Sequence, residues 1–88
     1  MTEIVIYATG ACPYCLRARC LFDGKGVKYT EIRVDLDPAR RREMEARAGR
    51  RSVPQIFIGD LYVGGCDDLY ALERQGRLDE LLHPVPVK

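Results

Sequence analysis

The residues with the clearest chemical potential are Cys12 and Cys15, which enclose Pro13 and Tyr14. Two thiols at this spacing serve either thiol–disulfide exchange or metal binding. An apolar, β-branched run at 3–7 precedes the pair, and proline is favoured at the first position of a helix. The pair is therefore predicted to lie where a strand passes into a helix.

The position of Cys12 favours its thiolate form. A residue directly before a helix faces backbone N–H groups without intrahelical partners and the positive end of the helix dipole, and both stabilise an anion. The thiolate is the nucleophile in disulfide exchange. Cys15 lies three residues further on the same helix face, within reach of a disulfide but less accessible. We therefore predict that Cys12 attacks and Cys15 resolves.

Four cysteines in 88 residues also allow a secreted disulfide framework or a zinc site. The chain does not start with the basic region, apolar stretch and cleavage site of a signal peptide, which counts against the framework. A zinc site normally takes four ligands, often from two close pairs, whereas the further candidates Cys20, Cys66 and His83 are singly placed. Redox chemistry is the favoured interpretation, and no metal is expected.

Length and composition define the class of protein. A chain of 88 residues holds one hydrophobic core, so we predict a single domain over 1–88 with a short tail at 83–88. With 47% hydrophobic and 31% charged residues, the composition is typical of a soluble globular protein. The net charge of +1 argues against nucleic acid as a partner, and no apolar run could span a membrane. We expect a cytoplasmic monomer.

The pattern of apolar residues and turn signals predicts an α/β fold in the order β-α-β-α-β-β-α, with a further short helical turn. Strands are predicted at 3–7, 28–34, 53–58 and 61–63, and helices at 13–23, between 37 and 49, from 66 to 76, and around 78–82. Asp37 is predicted to be the N-cap of the second helix, and Gly49 is predicted to end it. The alternation at 28–34 indicates a strand near the sheet edge, and the charged second helix should be the least firmly packed element. A four-stranded mixed sheet flanked by helices on both faces follows.

On the first helix, an apolar surface is predicted from Leu16, Ala18, Cys20, Leu21 and Phe22. Cys20 is accordingly expected in the core. We expect Cys66 to be an inert residue at a helix start and His83 to be a solvated residue of the tail.

Three motifs make the chain similar to dithiol glutaredoxins, especially the small bacterial ones. They are Cys-Pro-Tyr-Cys at 12–15, Ser-Val-Pro-Gln-Ile-Phe-Ile at 52–58 and Gly-Gly-Cys-Asp-Asp-Leu at 64–69. Their order and separations match, and the resemblance covers 3–82. It implies the thioredoxin fold, glutathione as co-substrate, and the reduction of protein disulfides and of protein–glutathione mixed disulfides through Cys12 and Cys15.

The resemblance also implies residues that bind glutathione. Val53, followed by a cis Pro54, matches the position that holds the backbone of the glutathione cysteine. Gly65, Cys66 and Asp67 match the site for the γ-glutamyl end, where a helix N-terminus can bind a carboxylate and Asp67 can accept from the ammonium group. An edge-strand proline and simple helix capping are the structural alternatives for these positions.

For the glycine carboxylate, Arg51 matches a family position and Arg41 is the best candidate from the second helix. The run at 40–42 could equally be a solvated helix face paired with nearby glutamates. Tyr14 is expected to line the groove beside the cysteines. Many relatives have a lysine three residues before the first cysteine, where this chain has Thr9. One source of thiolate stabilisation is therefore missing unless an arginine replaces it.

Two other functions stay open. A cluster carrier would hold a [2Fe–2S] cluster with Cys12 and glutathione from two chains, although relatives of this kind tend to have a less constrained motif. A thioredoxin-like reductant would receive electrons from a flavoprotein reductase, but it would leave Asp67, the glycine turn and Arg51 without a purpose.

Overall fold

The computed structural model describes residues 3–82. Its elements follow the predicted order, and the short turn after the third long helix is a helix of its own. The elements are β1 (Ile4–Ala8), α1 (Pro13–Gly24), β2 (Thr30–Arg33), α2 (Pro38–Ala48), β3 (Gln55–Ile58), β4 (Leu61–Gly64), α3 (Cys66–Arg74) and α4 (Leu78–Leu82). The predicted tail at 83–88, with His83, lies outside the described residues. None of the helices within 3–82 has the length and apolar character needed to cross a membrane.

The four strands form one mixed sheet in the order β2-β1-β3-β4. β1 pairs with β2 in parallel, whereas the β1–β3 and β3–β4 pairs are antiparallel. β1 and β3 are therefore central, and the alternating strand β2 is at an edge, as its pattern predicts. Helices cover both faces of this sheet, which confirms the predicted fold class, a thioredoxin fold.

The predicted signals at the ends of α1 and α2 are present. Pro13 occupies the first turn of α1, and Cys12 is its N-cap. The Asp37 carboxylate accepts from the backbone N–H groups of Ala39 and Arg40 at 3.0 and 3.4 Å, which caps α2. Gly49 ends α2 with φ of 69°, in the left-handed region where a side chain would be strained. The helix therefore ends at this glycine, and the chain continues through a loop to β3.

The two faces of the sheet have cores of unequal size. Beneath α1, α3 and α4 lies an apolar cluster of eleven buried residues: Ile4, Ile6, Ala8, Cys15, Ala18, Phe22, Ile56, Ile58, Leu69, Leu78 and Leu82. Beneath α2 the cluster has four buried members: Tyr7, Val34, Met44 and Phe57. Met44 is the buried side chain of α2, so this helix has the small apolar contact that its charged sequence predicts.

The predicted core position of Cys20 is wrong, because its side chain is exposed. Leu16, four residues earlier on the same side of α1, is likewise 52% exposed. The buried face of α1 is instead formed by Cys15, Ala18 and Phe22, whose spacing of three and four residues places them in one stripe. Leu16 and Cys20 are rotated away from this stripe toward solvent.

Candidate active site

Cys12 lies at the start of α1 with its sulfur turned toward the helix. Its backbone is extended, and Sγ accepts a hydrogen bond from the Cys15 backbone N–H at 3.3 Å. The thiol also donates to the Val53 carbonyl oxygen at 3.8 Å. A negative charge on this sulfur would face backbone donors and the positive end of the helix dipole. Cys12 therefore lies at the N-terminus of α1, as the sequence predicts, and its role as the nucleophile stays a prediction.

Cys15 has a different environment three residues later. Its side chain is fully buried in the larger cluster. Burial, with a further contribution from Cys12, raises the pKa of the Cys15 thiol to about 12, although the Thr9 backbone acts in the opposite direction. Cys15 therefore remains a protonated thiol near neutral pH, and the half-buried Cys12 is the more accessible sulfur.

The loop from α2 to β3 reaches Cys12 from the opposite side. The Val53–Pro54 peptide bond is cis, as the resemblance implies. This loop lies against the beginning of α3, since a Cβ on Gly65 would be 3.5 Å from the Pro54 carbonyl oxygen. Gly64 has φ of 113°, a conformation that side chains rarely adopt. The glycine pair therefore allows α3 to begin directly beside the loop.

The two aspartates that open α3 differ in their surroundings. The Asp68 carboxylate accepts from the Gly65 backbone N–H at 3.0 Å and so caps the helix. Asp67 is exposed and lines the open space beside the loop. Cys66, the first residue of α3, is buried, and burial raises the pKa of its thiol. It is therefore a protonated thiol near neutral pH.

These elements enclose an open groove of about 210 Å³. Its lining residues are Tyr14, Arg50, Ser52, Val53, Pro54, Gly65, Cys66, Asp67 and Asp68. Six of the residues predicted to bind glutathione are thus brought together along one groove, with Tyr14 from the Cys12–Cys15 motif at its margin.

The site residues predicted from the sequence did not include Arg50, Ser52 and Asp68, although Ser52 and Asp68 belong to the second and third motifs. The first two belong to the loop after Gly49, where no periodicity shows which side chains face the groove.

Arg41 and Arg51 do not line this groove. Both guanidinium groups are near Glu45, with Nε–carboxylate distances of 3.6 and 3.7 Å. Arg41 also donates to the Arg51 carbonyl oxygen at 3.1 Å. Arg51 forms an adjoining depression with Glu45, Gly49 and Arg50. Arg50, which borders both spaces, is thus the arginine closest to the groove, while the role predicted for Arg41 and Arg51 stays a prediction.

An arginine is also present beside the loop that carries Thr9. The Arg33 guanidinium lies so close to Gly10 that a Cβ on this glycine would clash with it. Asp35 binds Arg33 through two hydrogen bonds of 2.9 and 2.6 Å and accepts from the Gly10 backbone N–H at 3.3 Å. The loop before Cys12 is therefore tied to the end of β2, and the nearby cation is paired with a carboxylate.

The fold and the site define a class of protein: a thioredoxin-fold protein with an N-capping cysteine, a buried second thiol and an adjacent groove. Within residues 3–82, no group of three or more His, Cys, Asp or Glu side chains is placed to hold a metal ion. The glutaredoxin family profile matches residues 4–63. The chain belongs to the glutaredoxin family.

Individual relatives agree with this assignment over nearly the whole chain. Glutaredoxin from Pseudomonas aeruginosa is 55% identical over 82 residues, which are 93% of this chain and 98% of that protein. The solution structure of glutaredoxin from Brucella melitensis matches with a TM-score of 0.84 and 49% identity, covering 100% of this chain and 96% of that one. The crystal structure of a buckwheat glutaredoxin–glutathione complex matches with a TM-score of 0.85 and 33% identity. This match covers 92% of this chain and 76% of the buckwheat chain.

Family membership confirms the class of activity predicted from the three motifs. The protein is a glutathione-dependent thiol–disulfide oxidoreductase, and glutathione is its co-substrate.

Proposed function

We propose that glutathione binds in the groove beside Cys12 and that Cys12 exchanges disulfides with it. The observation that carries this assignment is the 3.8 Å contact between Cys12 Sγ and the Val53 carbonyl oxygen. It places the N-terminal sulfur of α1 directly at the backbone of the groove wall. A tripeptide whose cysteine backbone pairs with Val53 would therefore present its sulfur to Cys12.

The two ends of glutathione would lie at opposite ends of the groove. The γ-glutamyl carboxylate would receive backbone N–H groups where α3 begins at Cys66, and its ammonium group would pair with the exposed carboxylate of Asp67. The glycine carboxylate would lie toward the arginines, among which Arg50 lines the groove. Because the groove is open and small, one side of the bound peptide would stay in water.

With a protein–glutathione mixed disulfide, the Cys12 thiolate attacks the glutathione sulfur. A Cys12–glutathione disulfide forms, and the target leaves as a thiolate that takes up a proton. The thiolate of a second glutathione then attacks the bound glutathione sulfur. Glutathione disulfide is released and Cys12 regains its thiolate. One free glutathione is therefore oxidised for each target thiol released, and the other half of the glutathione disulfide comes from the substrate.

With a protein disulfide, Cys12 first forms a mixed disulfide with the target, and Cys15 then resolves it. The Cys15 thiol loses its proton to become the attacking thiolate, and the target is released in its reduced form. Two glutathione molecules then reduce the resulting Cys12–Cys15 disulfide. The raised pKa of Cys15 supports this order, because Cys15 is a thiol while Cys12 makes the first attack.

The two cysteine variants test these roles. Cys12→Ser should abolish the release of glutathione from a glutathionylated peptide, since a serine hydroxyl is not ionised near neutral pH. Cys15→Ser should retain much of that release, yet lose reduction of a protein disulfide. Both are measured with glutathione, glutathione reductase and NADPH. Substantial activity of Cys12→Ser on the glutathionylated peptide would show that the nucleophile is assigned wrongly.

The arginine contact can be assigned by comparing neighbouring variants. Because the groove borders Arg50, we expect Arg50→Ala to raise KM for glutathione about fivefold, the effect of losing one charge-assisted hydrogen bond. Arg41→Ala and Arg51→Ala should raise it less, because neither side chain lines the groove and both lie near Glu45. A larger effect of Arg51→Ala than of Arg50→Ala would instead support the position implied by the resemblance.

We further propose that the chain works as a cytoplasmic monomer with a single domain, on protein disulfides and glutathionylated proteins. The exposed side chains of Tyr14 and Leu16 flank Cys15 and offer apolar contact to a target protein. Analytical ultracentrifugation with and without glutathione tests the oligomeric state. A brown dimer after anaerobic purification would contradict this proposal and favour the [2Fe–2S] cluster carrier.

A further inference from the structure

Gln55 is a polar side chain in a region where apolar residues are expected. It is the first residue of β3 and is completely buried, and it follows Pro54 directly. Both polar atoms of its side-chain amide are hydrogen-bonded. Nε2 donates to the Ser52 carbonyl oxygen at 2.9 Å and to Ser52 Oγ at 3.1 Å, and Oε1 accepts from the Tyr62 hydroxyl at 2.6 Å.

These contacts connect β4 to the loop that forms the groove wall. Tyr62 belongs to β4 and is packed against Phe57, with ring centroids 5.1 Å apart. Gln55 is on a central strand, whereas Ser52 lies in the loop and lines the groove. Burying a side-chain amide costs free energy unless the amide is hydrogen-bonded, so the buried Gln55 favours the conformation that keeps these hydrogen bonds. The loop is therefore held at Ser52 from inside the protein.

The residue after Ser52 is Val53, whose carbonyl oxygen contacts Cys12. A shift of the Ser52 carbonyl group would rotate the next peptide unit, because consecutive peptide planes share one Cα atom. The groove-lining backbone at Val53 would then move relative to the Cys12 sulfur. An apolar side chain at position 55 could fill the same volume but could not fix this orientation, since apolar contacts are not directional.

We propose that Gln55 and Tyr62 are positioning residues for glutathione binding. The Tyr62 hydroxyl orients the Gln55 amide, and this amide holds Ser52 so that the Val53 backbone faces the cysteine of glutathione. This inference rests on the proposed binding of glutathione along the groove. It predicts that two residues without access to the ligand determine its affinity.

The test uses Gln55→Met, which keeps the length of the side chain but not its polar atoms, and Tyr62→Phe, which removes one hydroxyl. Affinity for S-methylglutathione, which cannot exchange disulfides, is measured by NMR titration. We expect affinity to fall about tenfold in Gln55→Met, which loses three partly buried hydrogen bonds, and about threefold in Tyr62→Phe, which loses one.

Tyr7→Phe is the matched control, because it also removes a buried hydroxyl on the α2 face of the sheet. The Tyr7 hydroxyl bonds to Glu43 and Arg47 on α2 and not to the loop. This variant should unfold at lower urea concentration yet bind S-methylglutathione normally. An equal loss of affinity in Tyr7→Phe would overturn the inference, because the effect would then come from general loosening.

The outcomes separate the two proposals. No binding by the unsubstituted protein overturns glutathione binding in this groove and the positioning role with it. Normal binding by the unsubstituted protein and undiminished binding by Gln55→Met overturn the positioning role alone. If Gln55→Met does not fold, Tyr62→Phe decides in the same way.

Discussion

On one face of the sheet, α1, α3 and α4 cover eleven buried residues, whereas α2 covers four on the other face. The first face carries Cys15 and is held mainly by apolar packing. On the second face, the Tyr7 hydroxyl donates to Glu43 at 2.5 Å and accepts from Arg47 at 2.8 Å. The Arg47 guanidinium also stacks on the Phe57 ring, 4.0 Å from its centroid.

The two faces differ in packing, and each positions a different part of the active site. The larger cluster buries the resolving thiol, where burial itself keeps it protonated. The smaller cluster lies beneath the helix and loop that lead to the groove wall, where orientation matters more than buried area. Directional hydrogen bonds join the elements of this face: those of Tyr7 reach α2, and those of Gln55 and Tyr62 reach the loop. Apolar burial thus dominates on the first face, and directional polar contacts are more prominent on the second.

The largest effect is expected from removing apolar volume beneath α1. Phe22→Ala should lower the free energy of unfolding by about 3–5 kcal/mol, because a fully buried ring would leave a cavity. Met44→Ala on the α2 face should cost less, near the lower end of about 2–5 kcal/mol, because the smaller cluster can relax around it. Urea unfolding measures both variants. An equal or larger loss for Met44→Ala would invalidate the comparison.

The second effect is the difference in reactivity between two thiols of α1. In the Cys12→Ser variant, the exposed Cys20 should react with iodoacetamide at roughly neutral pH about a hundredfold faster than Cys15, whose raised pKa leaves little thiolate. Peptide mapping by mass spectrometry distinguishes the two sites. The Cys15 rate should rise with pH, because burial, the largest cause of its raised pKa, does not depend on Cys12. Similar rates at both sites would show that burial does not protect Cys15.

A smaller effect is expected from the polar network under α2. Tyr7→Phe should lower the free energy of unfolding by about 1–2 kcal/mol, because Glu43 and Arg47 lose their shared partner in a partly buried place. Tyr70→Phe is the control, since its hydroxyl donates to the Arg17 carbonyl oxygen at an exposed position. We expect this control to change stability by less than about 0.5 kcal/mol. Equal losses in both variants would contradict a special role of the network.

The smallest effect concerns the ion pair that ties the loop before Cys12 to β2. Arg33 lowers the pKa of Asp35 from 3.8 to about 2. A lowered folded-state pKa adds stability above 3.8 that is lost as the pH falls through about 2. The stability difference between the unsubstituted protein and Asp35→Asn should therefore shrink over this range in urea unfolding. The difference should be small because the pair is exposed, and a constant difference would exclude the linkage.

Much of the fold could be predicted because its signals are local. Pro13, Asp37 and Gly49 mark helix ends through their own backbone and side-chain chemistry, and each has the predicted role. The predicted apolar surface of α1 was wrong at Leu16 and Cys20, which are exposed. Only the packing of α1 against the sheet determines which of several apolar positions is buried.

The lining of the groove could likewise be predicted only in part. Six lining residues could be predicted because they belong to motifs of the family. Arg50 could not be distinguished from Arg51 or Arg41, because the loop after Gly49 has no period that relates sequence position to direction. In the folded chain, Arg50 lines the groove, whereas Arg41 and Arg51 lie near the Glu45 carboxylate.

The sequence by itself determined the order of elements, the helix start at Cys12 and the kind of chemistry that the two cysteines perform. These properties depend on neighbouring residues, whose effects act over a single turn or strand. Only the tertiary structure brings Cys12 Sγ into contact with the Val53 carbonyl oxygen and buries Cys15 completely. It likewise allows the buried Gln55 amide to bond to both Ser52 and Tyr62. Cys12 and Val53 are 41 residues apart, and Gln55 and Tyr62 lie on two paired strands, so these contacts exist only once the sheet has formed.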